Sequence, residues 1–155
     1  MMLYAGTIRA IPRKEFEKES PDISVNGLTE HDIAIKAHFT RPEVQNIGST
    51  ASCGCDFPNV LLQNGDWPSS DESERDPEQL ATERVNREGL VNLLRHTREQ
   101  EIEIYTLWYG SFTEPPLIHE SAPLERILDI DFRFKERGFY RVSLTRQNST
   151  KAYSD

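Results

Sequence analysis

The chain contains few cysteines and no long apolar segment. Only 2 of its 155 residues are cysteine, far below the content of small disulfide-stabilised secreted domains. Residues 1–9 lack the apolar run and the small-residue cleavage site of a signal peptide. No stretch reaches the roughly 20 apolar residues that cross a bilayer. These absences predict a cytoplasmic protein with reduced thiols and without membrane contacts.

Catalytic motifs are also lacking. The sequence contains no P-loop, no dinucleotide-binding glycine fingerprint, no nucleophile elbow and no zinc-protease helix. Its four histidines are His31, His38, His96 and His119, and none is paired with another at helical spacing. Without a recognisable catalytic constellation, the sequence favours a protein that is not an enzyme.

Positive charge is in the minority. The chain has 18 Lys and Arg against 26 Asp and Glu, which gives a net charge of −8. This charge disfavours nucleic acids and anionic membranes as partners, because both are polyanionic. Basic residues gather towards the C-terminus, but we expect Arg133 and Lys135 on the solvent-facing side of a strand. The sequence therefore predicts no nucleic-acid platform.

The clearest helix signal begins at Asp76. Aspartate is a favoured N-cap, Pro77 suits the first helical position, and Gln79 completes the spacing of a capping box. Apolar residues at helical spacing then predict a helix that ends near Arg98. Gly89 costs about 1 kcal/mol relative to alanine in mid-helix, and it indicates a site of close packing.

Alternating apolar and polar residues predict strands on both sides of this helix. Residues 4–11 and 44–47 suit short strands, and residues 101–109 suit an interior strand. Residues 32–40 are predicted as a strand with one apolar face, formed by Ile33, Ile35, Ala37 and Phe39. Residues 128–144 are predicted as a β-hairpin with one buried face, formed by Leu128, Ile130, Phe132, Phe134, Tyr140, Val142 and Leu144.

Aromatic residues cluster in and after the strand predicted at 101–109. They are Tyr105, Trp108, Tyr109 and Phe112. We interpret them as core and core-edge residues, some of which could line a pocket.

These elements define an α+β fold. The expected architecture is a mostly antiparallel sheet of about five strands with one long helix packed on one face. Residues 1–146 suit a single domain. Within it, the acidic composition of residues 63–76 predicts a mobile loop, in which Trp67 is either an anchor or exposed. Residues 147–155 are predicted to be a frayed polar tail.

The most localised chemistry in the sequence is Cys53-Gly54-Cys55, followed by Asp56. A zinc site needs about four ligands, of which this loop supplies two thiolates, and His38 is the histidine best placed to join them. A reactive thiol would require a lowered pKa, which the adjacent Asp56 opposes. A tight glycine turn packed beside Phe57 is the structural alternative. The candidate binding residues are thus His38, Cys53, Cys55 and Asp56, and a metal ion would use Cys53, Cys55 and His38.

The sequence as a whole favours a small acidic cytoplasmic protein that acts by binding and has no catalytic activity. The expected partner is another protein or a second copy of the chain, and no cofactor is required. The alternative function is a thiol-redox or metal-binding protein that uses the Cys53-Gly54-Cys55 loop, with zinc as the candidate metal.

Overall fold

The computed structural model describes residues 1–68 and 76–144. Within these residues the chain forms eight strands, one long α-helix and two short 3₁₀ helices. The strands are β1 (Met2–Thr7), β2 (Ser24–Gly27), β3 (Glu43–Gly48), β4 (Asn59–Val60), β5 (Glu101–Leu107), β6 (Ile118–Pro123), β7 (Phe134–Lys135) and β8 (Gly138–Ser143). The helix α1 spans Pro77–His96, and the 3₁₀ helices span Ile33–His38 and Leu124–Leu128.

Six of these strands form one sheet in the order β2-β3-β1-β5-β8-β6. All neighbouring pairs are antiparallel except β6 and β8, which are parallel. The remaining strands, β4 and β7, pair in parallel as a short separate ribbon. The predicted α+β class, with a mostly antiparallel sheet and one long helix on one face, is confirmed, and the sheet has six strands where about five were expected.

One face of the sheet packs against α1. Leu90 and Leu94 of the helix are fully buried in the same cluster as Leu3 of β1 and Ile104 of β5. The helix begins as predicted, since the Asp76 carboxylate accepts a hydrogen bond from the Glu78 amide at 3.2 Å. It ends at His96, two residues before the predicted end.

The close packing expected at Gly89 is present. A Cβ atom at this position would lie 2.7 Å from Cγ1 of Ile23, which is closer than van der Waals contact allows. The absence of a side chain therefore lets the helix approach the segment that leads into β2.

The opposite face of the sheet carries a second buried cluster. Its fully buried members include Tyr4 of β1, Tyr105 of β5 and Ile35 of the first 3₁₀ helix. The strand register aligns one residue of each strand in a row that crosses the whole sheet. The row is Asn26, Asn46, Tyr4, Tyr105, Phe139 and His119.

The prediction of a strand at residues 32–40 is wrong. These residues contain the 3₁₀ helix Ile33–His38, in which Ile35 is buried and Ile33 is 54 % exposed. The Thr29 amide and hydroxyl both donate to the Asp32 carboxylate and close a turn directly before this 3₁₀ helix. The apolar alternation over a few residues was therefore compatible with two structures, and the local hydrogen bonds decide between them.

The prediction of a β-hairpin at residues 128–144 is also wrong. The return strand exists as β8, but it pairs with β5 and β6 rather than with the segment before it. In that segment Ile130 is 59 % exposed, while Arg133, predicted to face solvent, is only 7 % exposed. Only Phe134–Lys135 is extended, and it pairs with β4.

The guanidinium of Arg87 explains why no hairpin forms. It donates hydrogen bonds to four backbone carbonyls of the segment, at 2.7–3.2 Å. The acceptors are Ile127, Asp129, Ile130 and Phe132. A buried side chain thus satisfies carbonyl groups that a partner strand would otherwise satisfy.

Half of the predicted acidic loop at 63–76, namely residues 69–75, lies outside the described residues, as does the predicted tail at 147–155. At the start of that loop, Gln63 and Asp66 close a tight turn through two backbone hydrogen bonds of 2.9 Å. Trp67 is half-buried, and the Lys135 ammonium lies 5.9 Å from the centre of its ring. In the described part of the chain, no helix has both the length and the apolar composition needed to cross a membrane.

Candidate functional site

The cysteine loop lies between β3 and β4 and is tied to both the helix and the sheet. The Thr50 amide donates to the side chain of Asn86 on α1 at 2.8 Å. Gly54 is buried so closely against β1 that a Cβ atom there would lie 2.7 Å from the Met1 carbonyl oxygen. The absence of a side chain at Gly54 is thus a packing requirement of the turn.

The structure brings the sulfurs of Cys53 and Cys55 together as a pair. Cys55 is exposed, Cys53 is half-buried, and Phe57 is fully buried behind them. Asp56 is half-buried next to the pair, so three of the four predicted binding residues lie together.

His38 lies elsewhere. Its Nε2 is 3.1 Å from the Phe112 carbonyl oxygen, and its ring packs edge-on against Tyr105 with 5.3 Å between centres. Among residues 1–68 and 76–144 there is no group of three or more His, Cys, Asp or Glu side chains that could hold a metal ion. The structure therefore does not bring His38 to Cys53 and Cys55 as a third ligand.

A second candidate site lies where β5 ends. Trp108 and Tyr109 follow the strand directly and are 51 % and 65 % exposed, although they were interpreted as core or core-edge residues. The Ser111 amide bonds to the Trp108 carbonyl at 3.2 Å and closes a turn in which Gly110 takes a φ of +94°. Phe112 then returns to the core, as predicted, and is 8 % exposed.

Side chains from other elements hold this loop in place. The Tyr105 hydroxyl donates to the Glu114 carbonyl oxygen at 2.8 Å. Arg137 donates to the Pro115 carbonyl oxygen at 2.8 Å and forms an ion pair with Glu114 at 3.1 Å. With the His38 contact, three separate side chains fix the loop, so the exposed aromatic pair sits on an ordered support.

A cavity of about 340 Å³ opens beside Tyr109. It lies over the polar end of the row that crosses the sheet, and we call it the Asp32 cavity. The lining includes Tyr4, Asn26, Asp32, Asn46, Tyr109 and Phe112. The walls are thus partly aromatic, and the polar groups come from three adjacent strands and the loop before the first 3₁₀ helix.

Asp32 is the charged group of this cavity. The residue is only 7 % exposed, and its carboxylate accepts hydrogen bonds from the Tyr4 hydroxyl at 3.1 Å, the Thr29 hydroxyl at 2.9 Å and the Thr29 amide at 2.5 Å. Within the described residues, no lysine, arginine or histidine forms an ion pair with this carboxylate. A nearly buried negative charge therefore faces the cavity without a cationic partner from those residues.

The phenol of Tyr4 stays protonated beside this charge. Burial, and then the neighbouring Asp32 carboxylate, raise the pKa of Tyr4 well above its ordinary value. The Tyr4 hydroxyl proton is used in the bond to Asp32, and Tyr4 is fully buried, so the negatively charged acceptor at this end of the cavity is the Asp32 carboxylate.

Sequence reasoning missed Asp32, Tyr4, Asn26 and Asn46. The spacing of Thr29 and Asp32 is that of a capping box, and it was the available signal for Asp32. The other three had no local signal, because strand pairing alone brings them together.

Comparisons with protein-family models, with curated proteins and with solved structures found no match. The functional interpretation therefore rests on the residues of this chain and their geometry.

Proposed function

We propose that this protein acts by binding another protein, without a catalytic step, through the surface formed by Trp108, Tyr109 and the Asp32 cavity. The observation that carries the proposal is the adjacent pair Trp108 and Tyr109, which are 51 % and 65 % exposed on an ordered loop. Large aromatic side chains of this kind are enriched at the energetic centres of protein interfaces.

The fixed loop supports the proposal on energetic grounds. Binding costs free energy when side chains and loops must become ordered at the interface, by about 0.5–1.5 kcal/mol for each immobilised side chain. Here the edge-on contact between Tyr109 and Phe112, with ring centres 5.6 Å apart, restrains the Tyr109 ring beforehand. Such pre-organisation favours recognition of a partner.

The charge of the chain supports a partner with a basic surface. A net charge of −8 attracts cationic proteins and repels nucleic acids over the range of a Debye length. On the basis of the sequence, the proposal includes a cytoplasmic location. A second copy of this chain is the alternative partner.

The proposal is tested by substitution at the surface and by a matched control. Once a partner has been purified, its Kd is measured by calorimetry for Trp108→Ala, Tyr109→Ala and Val85→Ala. Val85 is 57 % exposed on α1 and is therefore an equally exposed apolar residue at another location. We expect each aromatic substitution to weaken binding by about 30-fold, the effect of a 2 kcal/mol hot spot. Equal Kd values for all three variants would contradict the proposal.

The second candidate function is a thiol-redox role for Cys53 and Cys55. The pairing of their sulfurs in the structure favours it over metal binding, which lacks a third ligand among the described residues. Reduction by a thiol such as glutathione would transfer two electrons and two protons to the pair and give two thiols and an oxidised reductant. Thiol titration of the native protein across glutathione redox buffers tests this role. Two free thiols under every buffer would exclude it.

A further inference from the structure

We infer that the Asp32 cavity receives an arginine side chain of the protein partner, with the Asp32 carboxylate as its counter-ion. This inference rests on the proposed function, because the partner is the protein that docks on Trp108 and Tyr109. It specifies which group of that partner is recognised.

The charge of the cavity favours a cationic ligand. Asp32 is 7 % exposed, and removal of a carboxylate from water is costly unless a cation or several donors compensate it. Tyr4 and Thr29 supply donors but no positive charge. The other titratable groups that line the cavity are Tyr4, His31 and Tyr109. The three donors from Tyr4 and Thr29 offset part of this cost, and a cation from outside would add an opposite charge.

The aromatic walls are the second argument. Phe112 packs edge-on against both Tyr4 and Tyr109, with ring centres 6.4 Å and 5.6 Å apart. Rings next to a carboxylate form a suitable environment for a cation, because their faces are electron-rich. Arginine suits such walls better than lysine, since its planar guanidinium stacks on aromatic faces.

The hydrogen-bond acceptors are the third argument. The Asn46 amide nitrogen uses one of its two N–H groups in a bond to the Leu3 carbonyl oxygen at 3.2 Å, and the side-chain oxygen of Asn46 is an acceptor. The Asp32 carboxylate, which Tyr4 orients from its buried position, is also an acceptor. A guanidinium has five N–H donors in a fixed fork and no acceptor, and it matches this arrangement.

The hydrogen bonds from Thr29 do not require a charge at Asp32, because the side-chain oxygen of an asparagine would also accept them. Substitution of Asp32 by asparagine therefore removes the charge and keeps an acceptor for Thr29.

The test uses the full chain and two small probes, acetyl-arginine amide and its neutral isostere acetyl-citrulline amide. NMR titration measures binding to the wild type, to Asp32→Asn and to the control Asp56→Asn, which removes a half-buried carboxylate at the cysteine loop. We expect saturable shifts at Tyr109 and Phe112 with the arginine probe and at least about tenfold weaker binding of the citrulline probe. Asp32→Asn should cause the same loss, and Asp56→Asn should have no effect.

Equal binding of the two probes to the wild type would overturn the inference, whether or not Asp32→Asn folds. The partner itself then separates this inference from the proposed function. Loss of partner binding in Trp108→Ala together with unchanged binding in Asp32→Asn would overturn the arginine site alone. Unchanged binding in both variants would overturn the proposed function as well.

Discussion

The hydroxyl of Tyr4 donates a hydrogen bond to Asp32 Oδ2 across 3.1 Å and joins the central strand β1 to a loop 28 residues further along the chain. Both residues are buried, so this bond is made inside the protein. It holds the negative charge of the cavity at a defined position above the sheet. The same bond contributes to stability and to the proposed recognition site.

Replacement of Tyr4 by phenylalanine should therefore destabilise the protein. The ring still packs, but the Asp32 carboxylate loses a donor, and we expect the free energy of unfolding to fall by about 1–2 kcal/mol. Urea denaturation measures the change. Tyr109→Phe is the control, since Tyr109 is 65 % exposed and its substitution should stay within about 0.5 kcal/mol of the wild type. Equal losses in the two variants would show that the bond to Asp32 is not responsible.

Stability should also fall in alkaline solution. Burial raises the pKa of Tyr105 to about 12, and burial likewise raises the pKa of Tyr4 and of Tyr140. In the unfolded chain these phenols titrate near pH 10, so above about pH 10 the unfolded state releases protons that the folded state retains. The stabilising contribution is complete below that pH and is lost as the pH rises through the folded pKa values.

Urea midpoints measured from about pH 8 to about pH 12 test this expectation. We expect a flat profile at first and a decline that begins near pH 10. Tyr105→Phe should make the decline less steep. A profile that stays flat to the alkaline limit would show that the three phenols titrate alike in both states.

For Gly89→Ala we expect a loss of stability, although helix propensity alone predicts a gain. Alanine in mid-helix is about 1 kcal/mol more favourable than glycine. At Gly89, however, the new methyl group would meet Ile23 Cγ1 at 2.7 Å, and overpacking of this kind costs about 1–3 kcal/mol. We expect a net loss in thermal unfolding for Gly89→Ala. Glu88→Ala, at an exposed neighbouring position, should be neutral or slightly stabilising. A higher Tm for Gly89→Ala would mean that the helix does not approach Ile23 so closely.

Arg87 should be among the most sensitive residues of the helix. Its four hydrogen bonds to carbonyls organise residues 127–132, and its side chain is almost fully buried next to Glu83. We expect Arg87→Ala to cost about 3–5 kcal/mol, because it leaves buried carbonyls and a buried carboxylate without this partner. Arg84→Ala, whose side chain is 81 % exposed one turn earlier, should change stability by less than about 0.5 kcal/mol. Similar urea midpoints for the two variants would refute the structural role of Arg87.

Local signals were sufficient to predict several elements of the fold. The N-cap at Asp76 and the alternation that starts at Glu101 lie within short windows, and both α1 and β5 begin where the sequence predicts them, although β5 ends at Leu107 and not at residue 109. The two wrong predictions, at residues 32–40 and 128–144, relied on alternating apolar residues and did not consider which hydrogen bonds those segments form. The spacing of Thr29 and Asp32 is that of a capping box, which argues against a strand at 32–40. The hydrogen bonds from Arg87 to the carbonyl groups of the later segment could not be predicted from residues 128–134 alone.

The candidate site was less predictable than the fold. Asn26, Asn46 and Tyr4 are neighbours because three strands pair in one register, and a single sequence does not specify that register. The exposure of Trp108 and Tyr109 depends on the turn at Gly110. Hydrophobicity alone would bury both side chains. The cysteine loop, by contrast, was visible in the sequence, and the structure keeps Cys53, Cys55 and Asp56 together but places His38 at the end of the first 3₁₀ helix.

Hydrogen–deuterium exchange of the full chain, with and without its purified protein partner, tests the central claim most directly. If the partner binds through Trp108, Tyr109 and the Asp32 cavity, amides in residues 28–32 and 108–112 should exchange more slowly in the complex, while those at the cysteine loop should be unchanged. Protection confined to the cysteine loop, or to any surface that leaves these two segments exchanging as in the free protein, would contradict the account.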